Sequence, residues 1–227
     1  MAKNTVLTLK KKVDEGGKVT MVTSYDYTMA ALVEEAGIDM ILVGDSLGMT
    51  MMGYDSTLPV TMDDMVHHTR CVTRACNDTF VVGDMPFGSY QTDIPTAVAN
   101  AARLMKEGRC QAVKLEGGVT VCEQIRAMTQ AGIPVVGHIG LTPQSVNAFG
   151  GFKVQGKSVE AAKQLVEDAL AIEAAGAFSI VLECVPADLA TYVTEQLSSA
   201  FTIAPMMKLS SREISPLPPR ATRSIPP

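Results

Sequence analysis

Two carboxylates hold the same place in two similar stretches of this chain. Asp45 ends the apolar run of "LVGDSLGM", and Asp84 ends that of "VVGDMPFG". Carboxylates that converge in a partly dry site repel each other unless a proton or a cation sits between them. A hard divalent cation fits, Mg²⁺ first. It takes one or two protein carboxylates and leaves its other positions to water or substrate. Gly-Asp after a strand is also an ordinary turn and helix-start signal, so the pair alone leaves both readings open.

Other apolar runs also end in polar groups. In "VKLEGG", Lys114 and Glu116 lie two apart and share one face of a strand. They either bind an anionic substrate beside the metal or close the rim with a salt bridge. Glu183 ends "SIVLEC". A buried carboxylate with a raised pKa there is a natural general base, and its alternative is a structural pairing with Lys114. His138, in "VVGHIGLTPQS", is either a hydrogen-bonded core residue or a contact to substrate. His67 and His68 read as structural or interface residues of a helix, and the methionines as packing.

These groups need a scaffold that gathers strand ends. Strands are predicted at 19–24, 40–44, 79–83, 111–115, 134–137 and 178–182, each short and rich in Val and Ile. Helices are predicted at 27–36, 62–76, 95–107, 119–130, 158–175 and 187–197. Gly37, Gly108, Gly132 and Gly176 suit the left-handed residue just past a helix end. Such alternation means a parallel sheet covered by helices, either doubly wound or closed into a barrel. No GxGxxG follows the first strand, and no Walker loop occurs. Polar residues instead close nearly every strand, from Ser24 and Asp26 through Asp45, Asp84, Lys114, Glu116 and His138 to Glu183. Groups contributed by many strands mark a barrel mouth.

The bulk numbers agree. The chain has 227 residues, 47% of them apolar and 19% charged, with a net charge of −5. This acidic balance argues against a nucleic-acid binder. No apolar run approaches the roughly 18 residues that span a bilayer. The N-terminus lacks the apolar core of a secretory signal. Five cysteines without CxxC pairing fit a reducing compartment, so a cytoplasmic protein acting on small molecules is expected.

"VTSYDYTMA", "LVGDSLGMTMMGYDSTLPVT", "GDMPFGSY", "VKLEGG", "GHIGLTPQSVNAFGGFKVQG" and "LECVP" resemble the 3-methyl-2-oxobutanoate (ketopantoate) hydroxymethyltransferase family from about Val19 to Leu197. The resemblance implies a (β/α)₈ TIM barrel of the phosphoenolpyruvate/pyruvate superfamily. It implies transfer of a hydroxymethyl group from 5,10-methylenetetrahydrofolate to 3-methyl-2-oxobutanoate, giving 2-dehydropantoate on the pantothenate and coenzyme A pathway. It places Mg²⁺ on Asp45 and Asp84 with Glu116 in support through water. Ser46 and Lys114 would hold the oxoacid, and Glu183 would be the proton acceptor. It also implies a homo-oligomer, a decamer in the family. The loop from Thr142 to Gly156, rich in Gly, Asn and Gln, is expected to close over the site.

Only six strand–helix units are predicted, where such a barrel has eight. Residues 1–197 read as the barrel domain. Residues 198–227 read as an irregular tail holding six of the 12 prolines, in which only "AFTIAPMM" could be a strand. The readings that compete with the transferase are another Mg²⁺-dependent oxoacid lyase or mutase of the superfamily and a truncated, non-catalytic product.

Overall fold

Seven short runs pair in chain order into one parallel sheet, β1 to β7. The structure, a computed structural model, describes residues 4–204. The strands are β1 (Met21–Thr23), β2 (Met40–Val43), β3 (Phe80–Asp84), β4 (Ala112–Glu116), β5 (Val135–Gly140), β6 (Ser179–Glu183) and β7 (Phe201–Ile203). The helices are α1 (Val6–Asp14), α2 (Tyr27–Glu35), α3 (Leu47–Thr50), α4 (Met62–Thr73), α5 (Ile94–Arg103), α6 (Cys122–Gln130), α7 (Val146–Phe149), α8 (Val159–Ala175) and α9 (Ala187–Gln196). No helix among the described residues is long and apolar enough to cross a membrane.

The sheet curls into an incomplete TIM barrel, nearly closed. Met40, Phe80, Val82, Ala112, Val136, Val181 and Phe201 come from six different strands and pack into one cluster. A flat sheet could not bring its third and seventh strands together over one face. Phe178 lies between Phe80 and Phe201, with ring centroids 5.9 and 5.8 Å away. Leu9 of α1 plugs the bottom of this interior. The larger cluster lies outside the strands, under the helices, and includes Ile41, Val81, Val113, Val135 and Ile180. Successive strand residues thus serve two cores, as the period of two requires. Among the described residues β1 and β7 are not hydrogen-bonded to each other.

Three features depart from the sequence reading. Helix α1 was not foreseen. Thr5 and Thr8 cap its start reciprocally, but Leu9 is its only buried residue, so its apolar signal is faint. Strand β7 pairs in parallel with β6, so the sheet runs past the six expected units into "AFTIAPMM", the one stretch of the expected tail that could be a strand. The proline-rich remainder of the expected tail, from residue 205, lies outside the described residues. At the third expected helix stop a π-helical turn follows α5, and Arg109, not Gly108, takes the left-handed conformation at φ 67°. Gly37, Gly132 and Gly176 do have positive φ.

One device recurs at the bottom of the barrel. Glu34 of α2 accepts the backbone N–H groups of Asn77, Asp78 and Thr79, just before β3, at 2.8–3.0 Å. Glu173 of α8 does the same for Ser198, Ser199 and Ala200, before β7, at 2.6–2.9 Å. Each helix so anchors the chain entering the next strand but one. Burial works against ionisation of Glu173, but its three backbone donors outweigh it and its pKa is lowered. A lowered carboxylate stabilises the fold above its unfolded pKa and loses that contribution as pH falls through the folded one. Because Glu173 is largely solvated, Glu173→Ala is predicted to cost only about 1 kcal/mol at pH 7. Urea unfolding at pH 7 and below pH 4 should show that deficit shrinking with acid.

Candidate active site

The inward face of each strand continues upward into polar residues. Two places beyond Val82, Ala112, Val136 and Val181 come Asp84, Lys114, His138 and Glu183, and two beyond Lys114 comes Glu116. The register then decides who meets whom. Asp84 is the partner of Lys114 across β3 and β4. Glu116 is the partner of His138 across β4 and β5.

Lys114 Nζ donates to both Asp84 oxygens at 2.7 Å and lies 3.6 Å from Glu116 Oε1. His138 Nδ1 is 3.3 Å from Glu116 Oε1, and its Nε2 is 3.3 Å from Glu183 Oε2. Neither approach is aligned as a hydrogen bond, so these are electrostatic contacts. Asp45 follows β2, and its backbone N–H donates to Asp84 Oδ2 at 3.1 Å. Gly44 leaves room for the neighbouring Ser46 hydroxyl, since a Cβ there would stand 2.9 Å from Ser46 Oγ. The two Gly-Asp motifs therefore converge. The expected alternative pairing of Glu183 with Lys114 does not occur, and Glu183 is not the buried carboxylate anticipated: its side chain is 32% exposed.

Charge is out of balance here. Asp45, Asp84 and Glu116 are all buried, and Lys114 is the buried ammonium among them. Burial first, then the charge of Asp84, pushes the Asp45 carboxyl up to about 7. Burial likewise raises Asp84, despite Lys114. Burial opposes the Lys114 charge, but Asp84, Glu116 and Asp45 outweigh it and raise its pKa. Burial also opposes the charge on Glu116, yet Lys114 and His138 hold it below the usual range. Burial and Lys114 disfavour a charged His138, and the carboxylates on its two sides reverse that, raising its pKa.

Three residues that sequence reasoning did not single out complete the site. Tyr25 Oη is 2.8 Å from Ser46 Oγ, and His68 Nδ1 is 2.7 Å from the Tyr25 carbonyl oxygen. His68 is thereby structural, as read. The Gln144 amide donates to Asp45 Oδ2 at 2.9 Å and accepts from Tyr90 Oη at 2.7 Å. Gln144 is carried over the mouth by Gly140, at φ +91°, where a Cβ would collide with the Glu183 carbonyl. The signal for it was Thr142-Pro143, which starts a helical turn over Pro143–Ser145.

The donors suit a hard cation. Asp45 Oδ1 has no hydrogen-bond partner among the described residues. A cation near it would offset the burial, and then the repulsion from Asp84, that hold Asp45 near 7. No group of three or more His, Cys, Asp or Glu among the described residues forms a closed cage. Asp45, with one carboxylate oxygen unengaged beside Asp84, offers oxygen donors that suit Mg²⁺ and not a structural zinc.

Comparison with solved structures places the fold. Phosphonopyruvate hydrolase, solved with oxalate and Mg²⁺, superposes with a TM-score of 0.65 at 14% identity, over 88% of this chain and 71% of that one. 2,3-Dimethylmalate lyase, described as a PEP mutase/isocitrate lyase superfamily member, gives 0.65 at 18% identity, over 93% and 74%. Sequence comparison goes further. The 3-methyl-2-oxobutanoate hydroxymethyltransferase of Clostridium novyi (strain NT) is 62% identical over 196 residues, 86% of this chain and 71% of the relative. The enzyme of the same name from Enterococcus faecalis (strain ATCC 700802 / V583) is 60% identical over the same shares. The family model described as ketopantoate hydroxymethyltransferase matches residues 3–204, which includes the whole described span, and the chain belongs to that enzyme family.

Proposed function

We propose that this chain transfers a hydroxymethyl group from 5,10-methylenetetrahydrofolate to 3-methyl-2-oxobutanoate, giving 2-dehydropantoate, with Mg²⁺ bound in the barrel mouth. The observation that carries the reading is one buried ammonium among three buried carboxylates, with a fourth carboxylate, Glu183, open to solvent across His138. The first set suits an anionic oxoacid held with a cation. The last is a base that a substrate can reach. The names of the relatives supply the substrate.

Asp45 and Asp84 would hold Mg²⁺, with Glu116 in support through water. Bound there, the ion supplies Lewis-acid polarisation of the keto oxygen. The Lys114 ammonium neutralises the substrate carboxylate, and Ser46, steadied by Tyr25, offers a hydroxyl beside it. Glu183 takes the proton from C3, leaving an enolate whose carbon attacks the one-carbon unit. His138 sits between Glu116 and Glu183 and balances their charge while the proton moves. The folate is needed only after the proton has left.

Two outcomes test this. With Mg²⁺ and without folate, the chain should exchange the C3 hydrogen of 3-methyl-2-oxobutanoate for deuterium, followed by NMR. Glu183→Gln should slow that exchange by about 10²–10⁴-fold, the range of a general base. Exchange that survives this change would remove Glu183 from its role. Lys114→Met should destabilise the fold by about 3–5 kcal/mol, because it strands buried carboxylates. Urea unfolding should show that loss easing below pH 7, as Asp45, with a pKa of about 7, takes up a proton.

A further inference from the structure

We infer that Gln144 is a positioning residue for the cation site, aiming the Asp45 carboxylate through its side-chain amide. The inference rests on the Mg²⁺ reading above and goes beyond it, since Gln144 is neither an acid, a base nor a charged ligand.

Gln144 is buried, with 5% of its surface exposed, yet it sits on a loop. A buried primary amide is costly unless its donors and acceptor are used. Here all are used. Nε2 donates to Asp45 Oδ2 and to the Met85 carbonyl oxygen, both at 2.9 Å. Oε1 accepts from Tyr90 Oη at 2.7 Å and from Gln91 Nε2 at 3.2 Å. The backbone N–H of Gln144 donates to Glu116 Oε2 at 3.0 Å. One residue from the loop after β5 thus grips the ends of β2, β3 and β4.

The orientation of this amide is fixed by chemistry. The Met85 carbonyl is an acceptor only, so Nε2 must face it. Tyr90 Oη accepts the Glu116 backbone N–H at 3.1 Å and has two acceptors in reach of its proton, of which Gln144 Oε1 at 2.7 Å is nearer than the Glu116 carbonyl oxygen at 3.1 Å. Turning the amide over would set oxygen against oxygen at Met85. The N–H aimed at Asp45 is therefore held in direction by partners that do not themselves touch Asp45. It engages Oδ2 and leaves Oδ1 free for a cation. The expectation that the loop of residues 142–156 closes the site acquires a specific contact here.

Partners that orient a metal's ligands commonly change metal affinity 10- to 100-fold when removed. Titration calorimetry of the full chain with MgCl₂ reads this directly, alongside thermal melting of each variant. Gln144→Met fills a similar volume without donors. It should weaken Mg²⁺ binding by about 10- to 100-fold while still melting cooperatively. Tyr90→Phe removes the hydroxyl that fixes the amide and should weaken binding in the same direction, by less. A purely structural Gln144 would lower the melting temperature and leave the Kd of the folded variant unchanged. A Kd within twofold of the wild type in folded Gln144→Met overturns the inference. Should that variant not melt cooperatively, the same result in Tyr90→Phe does so. Absence of Mg²⁺ binding by the wild type overturns the proposed function and this inference with it. Equal binding by wild type and variants overturns this inference alone.

Discussion

An excess of buried negative charge governs the upper half of this barrel. Asp84 and Glu116 lie 2.7 and 3.6 Å from a buried ammonium, Lys114, whose charge also reaches the buried Asp45. Removing ions from water costs several kcal/mol each unless close partners compensate. Lys114 compensates Asp84 through two contacts of 2.7 Å and Glu116 at longer range. Asp45 accepts from the neutral Gln144 amide, and burial first, then the charge of Asp84, lifts its carboxyl to about 7. Negative charge thus exceeds positive charge in the mouth of the barrel.

The rest of the chain can be understood as what makes that imbalance tolerable. Parallel pairing in strict chain order fixes the register, and the register sets Asp84 beside Lys114 and Glu116 beside His138. The aromatic layer of Phe80, Phe178 and Phe201 fills the barrel below, so the charged groups face upward over a dry floor. The carboxylate clamps at Glu34 and Glu173 set where strands β3 and β7 begin. A shift of one residue in β4 would turn Lys114 and Glu116 outward under the helices.

The strand ends were legible because period two and position carry over into three dimensions. Asp84, Glu116 and Glu183 end their strands, Asp45 stands two residues beyond β2, and Lys114 and His138 lie two residues before the ends of β4 and β5, close to where the spacing predicts. What was hidden obeys no period. Gln144 and Tyr90 reach the site from loops, and nothing in "LTPQS" or "FGSY" says which neighbours their polar atoms meet. Helix α1 was hidden for a different reason: three consecutive lysines dilute its apolar stripe, and it is held by capping and by Leu9. Strand β7 was obscured by the prolines that follow it. The exposure of Glu183 depends on what covers the mouth, which no strand pattern records.

The central claim is that Asp45 and Asp84 together accept a divalent cation in place of a proton. Calorimetric titration with MgCl₂ in buffers of different ionisation enthalpy counts the protons released on binding. With Asp45 titrating at about 7, roughly half a proton should leave per ion bound at pH 7, falling toward zero by about pH 9 as affinity levels off. Mg²⁺ binding with no proton release at pH 7 and no rise in affinity with pH would contradict the account, because the ion would then be sitting somewhere other than on this carboxylate pair.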